Sequence, residues 1–188
     1  MKINRLYKNL MLLAMVIAPA WWLLLTEDGQ RRTDTVMLWL LGNPTMEMNL
    51  APLTTEFEEG ELMKLFASLA WECADRPSYF GDRLCRAEIG VFNEIPSRYV
   101  TLYFREGRIS GIKVIYRRRY HDTLRRQLTR QLGEPRLVRA ENAEALLAWR
   151  TAGGKVLLKE RVIPSDEAAL LWMGATADDG REKAENDE

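Results

Sequence analysis

The 188-residue chain predicts an α+β fold: an antiparallel meander sheet with two packing helices, preceded by one transmembrane helix. Three observations carry this expectation. An unbroken apolar run lies near the N-terminus. Three consecutive segments between Ala87 and Tyr116 alternate polar and apolar residues with period two. Two further stretches place leucines at helical spacing.

The apolar run extends from Leu10 to Leu25, and Pro19 is its only residue that is not hydrophobic. As a helix, sixteen residues cover roughly 24 Å, against a bilayer core of about 30 Å. The shortfall is met by Tyr7 and Thr26 at the interfaces and by snorkelling basic residues. Trp21 and Trp22 fall near the far boundary, where aromatic rings are favoured. Lys2, Arg5 and Lys8 precede the run closely, whereas Arg31 and Arg32 follow it at a distance. The positive-inside rule therefore assigns residues 1–9 to the cytoplasm and residues 10–25 to the anchor, and it translocates the body. A cleaved signal peptide is the alternative, with Ala18-Pro19-Ala20 as its small-x-small site. Against cleavage, Trp21 to Leu25 continue the apolar run. No cysteine ends the run, which argues against lipoprotein-type attachment.

Residues 26–35 are polar and read as a linker, and residues 36–174 as the extracytoplasmic domain. Val36–Leu41 is a second apolar run, too short to span a membrane, and Gly42-Asn43-Pro44 ends it. Met46–Pro52 reads as irregular. Thr55-x-x-Glu58 resembles a capping box, and Leu62, Leu65, Phe66 and Leu69 form one helical face behind it. That helix is expected to reach Trp71 or Cys73. Ala87, Ile89 and Val91 then alternate with Arg86, Glu88 and Gly90. Asn93–Pro96 reads as a connection. Tyr99, Thr101, Tyr103 and Arg105 alternate with Val100, Leu102 and Phe104. Glu106-Gly107 makes a hairpin turn. Ile109, Gly111, Lys113 and Ile115 alternate with Ser110, Ile112, Val114 and Tyr116. A second helix spans His121–Leu132, with Tyr120, Leu124, Leu128 and Leu132 on one face and Gly133-Glu134-Pro135 ending it. Leu146–Thr151 and Lys155–Val162 read as strands around a Gly153-Gly154 hairpin, and Ala168–Met173 as a last strand. From Asp178 onward six acidic and two basic residues remain, so residues 175–188 read as a disordered acidic tail.

Composition bounds function. Lys plus Arg and Asp plus Glu both number 27, so the net charge is zero and no global field attracts nucleic acid. Cys73 and Cys85 are the only cysteines, and one disulfide is the expected state in an oxidising compartment. It would pin the turn-rich segment Ala74–Leu84 between two regular elements. A metal pair or a redox pair are the rivals. The first lacks further ligands around the single histidine, His121, and the second lacks Cys-x-x-Cys spacing.

Arg117, Arg118, Arg119, Arg125, Arg126 and Arg130, with Arg136 and Arg139, form a basic cluster containing only Asp122 and Glu134 as acids. It reads as a site for anionic lipid headgroups, an acidic partner or nucleic acid, the last disfavoured by the expected extracytoplasmic location, or as a solvated helix face. His121 is a candidate for acid/base chemistry in a hydrolase, with Ser78 or Ser110 as the nucleophile, but neither serine sits in a nucleophile elbow. No phosphate loop, zinc spacing or carboxylate pair is present, so neither a metal nor a small-molecule cofactor is expected. Tyrosines and tryptophans in strands belong to the core, unless several face outward and mark a partner surface.

The helix before Cys73, the segment Gly81-Asp82-Arg83-Leu84-Cys85, the Tyr99–Tyr116 hairpin and Leu132-Gly133-Glu134-Pro135 together carry a resemblance. In this order the chain resembles small α/β modules of the bacterial envelope, of the SmpA/OmlA outer-membrane assembly lipoprotein and β-lactamase-inhibitor-protein-like type. The resemblance covers residues 55–140 and departs in lacking a lipidated cysteine. The anchor, the disulfide-compatible cysteine pair and the absence of a catalytic signature point to a non-enzymatic accessory or assembly factor that binds a protein partner through its sheet or its Arg-rich helix. With the topology above, the expected location is the bacterial inner membrane, single-pass, with the folded domain periplasmic.

Overall fold

The computed structural model describes residues 44–139 and 144–175, together with residues 8, 11–15, 17, 18 and 21. The chain divides into two compact units, Met1–Gly42 and Asn43–Glu188. In the first unit the nine described residues are helical. Met11, Leu12, Leu13, Met15, Ile17 and Trp21 among them are exposed. Among the described residues, no helix is long and apolar enough to cross a membrane. The rest of the expected anchor 10–25, the linker 26–35, the run Val36–Leu41 and the tail after Ala175 lie outside the described residues.

The second unit is mostly β sheet with a few helices, an α+β arrangement. Its strands are β1 (Thr45–Met46), β2 (Glu72–Ser78), β3 (Gly81–Glu88), β4 (Val91–Phe92), β5 (Ile95–Arg105), β6 (Arg108–Tyr116), β7 (Arg136–Arg139), β8 (Ala145–Thr151), β9 (Gly154–Lys159) and β10 (Ala169–Gly174). Helix α1 spans Glu59–Leu65, and helix α2 spans His121–Leu132 behind a 3-10 turn at Arg118–Tyr120. The sheet runs β4-β5-β6-β10-β9-β8-β7, with β1 beside β4, and β3 and then β2 added along β5. All pairs are antiparallel except β1 with β4. The expected meander holds for β3, β5 and β6. It fails beyond them, because β10 inserts between β6 and β9.

One sheet face forms the core. Cys85, Leu102, Ile112, Trp172, Val156 and Trp149 line up across six strands in one row. Each is at most 1% exposed. The covering layer is α1 through Leu62, the turn residues Phe66 and Leu69, the segment Met46–Leu53, and α2 through Leu124 and Leu128. Asn93 holds that segment in place. Its side-chain amide accepts from Met48 N and donates to Met48 O, both at 2.8 Å. Helix α2 matches its expected bounds, because its leucines repeat every fourth residue and Gly133, at φ 87°, ends it.

Several local expectations are corrected. Helix α1 is seven residues long, not fifteen or more. Its N-cap is Glu58, whose N–H donates to the Glu61 carboxylate, so the capping box lies three residues after Thr55. Below Leu65 the chain turns, with Leu69 N–H bonded to Phe66 O, and Cys73 enters a strand. Asn93-Glu94 is a two-residue turn with both φ values positive, and Ile95-Pro96 already belongs to β5. Ile109 is buried with Ile112 and Val114, opposite to simple alternation. The register shifts between Tyr103 and Phe104, leaving Ser110 as the extra residue of a bulge that flips Ile109 inward.

Candidate functional site

Strand alternation gives the sheet a second face. Its central row runs Arg86, Thr101, Lys113, Leu171, Leu157, Ala148 and Arg136, each paired with the next. Ile115 with Ala169 and Leu146 with Val138 extend it on one side, and Met173 on the other. Among the strand residues on this face only Gly111 is buried; the others are half-buried or exposed. Both helices pack on the opposite side. Among the residues described for this unit, no helix covers this face, which has an apolar centre on β10, β9 and β8 and basic residues at both ends of its central row.

An aromatic group marks one corner. Phe80, in the β2–β3 turn, lies over Gly111 and packs on Tyr103 with ring centroids 4.9 Å apart. Tyr79 stands edge-on to Phe80 and is 80% exposed. Arg105 Nη2 donates to Tyr79 O at 2.8 Å and fixes the turn. On β3 the Arg86 guanidinium stacks on the Tyr99 ring at 3.8 Å. At the opposite end of the face, Lys113 pairs with Glu167 at 2.7 Å, and Lys159 with Glu144 at 2.8 Å and Asp166 at 3.3 Å. The Glu144 hydrogen bond leads in raising the Lys159 pKa, and Asp166 adds to it.

Cys73 and Cys85 form a disulfide. They stand directly opposite each other on β2 and β3, so the enclosed segment is a hairpin and not the expected loop. The register shift between Asp75 and Ser78 accommodates Arg76 and Pro77, and proline has no N–H to donate to the ladder. Glu59, the first residue of α1, sits beside the bridge, its carboxylate 3.7 Å from Cys85 Sγ. Glu59 Oε1 also accepts from Arg83 Nε at 2.9 Å, and Asp75 engages the same guanidinium. These two hydrogen bonds raise the Arg83 pKa, that to Glu59 the more strongly. Glu59, Cys73 and Cys85 bring three potential ligand atoms within 4.8 Å, but the S–S bond engages both sulfurs.

The arginines are spread over three successive elements. Arg117 precedes the 3-10 turn that holds Arg118 and Arg119, while Arg125, Arg126 and Arg130 lie exposed on α2. Arg126 folds back on its own helix, donating to Asp122 O and Thr123 Oγ1. Arg136 and Arg139 belong to β7, a strand the sequence reading missed. His121 is structurally engaged on both sides. Its Nδ1 lies 2.7 Å from Tyr116 Oη and its Nε2 3.3 Å from Glu160 O. With the phenol donating to Nδ1, the ring's own N–H falls to Glu160 O. Ser110 lies six residues before Tyr116 on β6, about 20 Å away at 3.3 Å per residue. Ser78 pairs with Gly81 at that same far end, beside Phe104. Neither serine can meet His121, so the hydrolase triad is not assembled.

The face residues Tyr79, Phe80, Leu157 and Leu171 were not singled out by sequence. Leu157 and Leu171 lie in stretches that read as strands and Tyr79-Phe80 in a turn-rich segment, but which strands adjoin was not legible. No family model matches the chain, and neither a curated protein nor a solved structure matches it.

Proposed function

We propose that this chain is a non-enzymatic, membrane-anchored envelope protein whose folded domain binds a protein partner on the oxidising side. The observation that carries the reading is the open sheet face, with its apolar centre around Leu157 and Leu171 and the Tyr79–Phe80 corner. Contiguous, half-buried apolar side chains on an open sheet face are suited to a partner, and an exposed aromatic residue such as Tyr79 is a frequent anchor beside them. Basic residues around an apolar centre favour a partner surface with an acidic rim.

The location is supported by separate features. Three basic residues ahead of the Leu10–Leu25 run favour a cytoplasmic N-terminus. The disulfide favours an oxidising compartment for the domain. The inner membrane of a bacterial envelope, with the domain in the periplasm, fits both.

The test is photocrosslinking in cells. A photoreactive residue at Leu157 or Tyr79 should give a discrete adduct that Leu171→Glu abolishes, while the same residue at Arg126 should give none. Adducts from Arg126 alone, sensitive to anionic lipid and salt, would transfer the function to lipid binding through the arginines. Absence of any adduct, with a Leu171→Glu strain indistinguishable from the parent, would reject partner binding.

A further inference from the structure

The two outer strands of the sheet differ in how they are guarded. Strand β2 exposes every residue, and carries Glu72, Asp75, Arg76 and Pro77. The proline and the register shift between Asp75 and Ser78 deter strand addition there. Strand β7 has neither proline nor bulge, and it exposes Leu137 at 60% and Val138 at 38%. Leu137 pairs with Leu147 on the core side, and Val138 with Leu146 on the open face. Both apolar layers thus run on to the last strand and stop there. In an antiparallel pair, residues alternate between pointing their N–H and C=O at the neighbour and away from it. Half of the β7 residues therefore turn these groups outward.

The charges select the occupant. Arg136 and Arg139 bracket the apolar pair. A second copy paired through β7 brings no acid on that strand to set against either arginine. A strand with acids opposite the two arginines supplies both contacts. We propose that β7 receives an extended segment of the partner protein in the order acid, apolar, apolar, acid. The segment lengthens the sheet by one strand, and its two apolar side chains continue the core layer and the open face. This inference rests on the partner-binding reading and adds the chemistry of one partner element to it.

The experiment uses the full-length chain in detergent micelles and two labelled peptides, each a Val-Ile pair flanked by two glutamates or by two lysines. Fluorescence anisotropy should show the glutamate peptide binding at least ten-fold tighter, with the preference shrinking as salt rises. The double variant Arg136→Glu/Arg139→Glu should invert the order. Val138→Lys, which keeps the strand and adds an edge charge, should weaken the glutamate peptide about ten-fold. Equal binding, no binding, or an order unchanged by charge reversal would overturn the proposal. So would concentration-dependent self-association that either peptide leaves intact. The partner-binding reading fails separately: adducts from Leu157 with none from Leu137 would reject the edge and leave the face standing.

Discussion

At the residue scale, individual side chains are tied into the fold in ways that stability measurements can resolve. Burial pushes the Tyr116 phenol above its usual pKa of 10.0, and the nearby Asp122 charge adds to the shift. The folded state therefore keeps this proton at pH values where the unfolded chain releases it. Stability is present below about pH 10 and falls as pH rises beyond it, by up to about 1.4 kcal/mol per pH unit. Urea midpoints measured from pH 7 to 11 should show this decline, and Tyr116→Phe should flatten it. The same substitution should cost about 1 kcal/mol at neutral pH, because His121 Nδ1 loses its donor. An equally steep alkaline decline in the variant would remove Tyr116 as the cause. Asn93→Ala should cost about 2–3 kcal/mol, since it strips both hydrogen bonds from the Met48 backbone. Ser110 predicts the opposite sign. Its hydroxyl is buried without a hydrogen-bond partner among the described residues, so Ser110→Ala should be neutral or stabilise by up to about 1 kcal/mol. A loss above 1 kcal/mol would reveal a bond this reading lacks.

At the scale of elements, what the sequence made legible depended on how local the cause was. Helix α2 was legible in full, because the Leu124–Leu128 repeat and the Gly133 terminus are both local signals. The β5–β6 hairpin was legible for the same reason, with Glu106 and Gly107 at φ 52° and 76°. Helix α1 was overextended, because Leu69 is buried from a turn and not from a helix. Apolar spacing alone does not distinguish the two. The bulge at Ser110 was hidden because it shows only as a shift in pairing with β5. The cysteine pair was legible as chemistry but not as geometry. As a cross-link within one hairpin it encloses a short loop, its ends 12 residues apart. Replacing both cysteines by alanine should therefore cost about 3 kcal/mol in the chain-entropy model. Differential calorimetry of the double variant checks this, and a loss below 1 kcal/mol would mean that strand pairing alone closes the hairpin. Gly81 sets a separate limit on the same hairpin, since a Cβ there would lie 2.0 Å from Phe104 O.

At the scale of the molecule, the two described helices of the Asn43–Glu188 unit lie on one side of its sheet, and the candidate site follows from that asymmetry. The stretches holding Leu157 and Leu171 each read as a strand, but only the insertion of β10 between β6 and β9 makes them neighbours. This non-local pairing is why the face was illegible while its residues were not. The asymmetry also separates function from stability. Core residues such as Trp172 and Leu158 are fully buried, whereas Leu157 and Leu171 are half-buried beside them on the same strands. Leu157→Thr with Leu171→Thr should therefore cost only about 1–2 kcal/mol, the scale of cross-strand pairs on one face. Leu158→Glu would bury a charge and unfold the domain. Tyr79→Ala, at an 80% exposed turn position, should change stability by less than about 0.5 kcal/mol. As an exposed aromatic anchor it should nevertheless weaken partner binding by roughly ten-fold or more, about 1.4 kcal/mol. Chemical denaturation and partner affinity, measured on the same preparations, should thus rank these variants in different orders. If affinity instead tracks stability across Tyr79→Ala, the Leu157/Leu171 pair and a core control such as Val156→Ala, the open face is structural surface, and the partner must engage elsewhere.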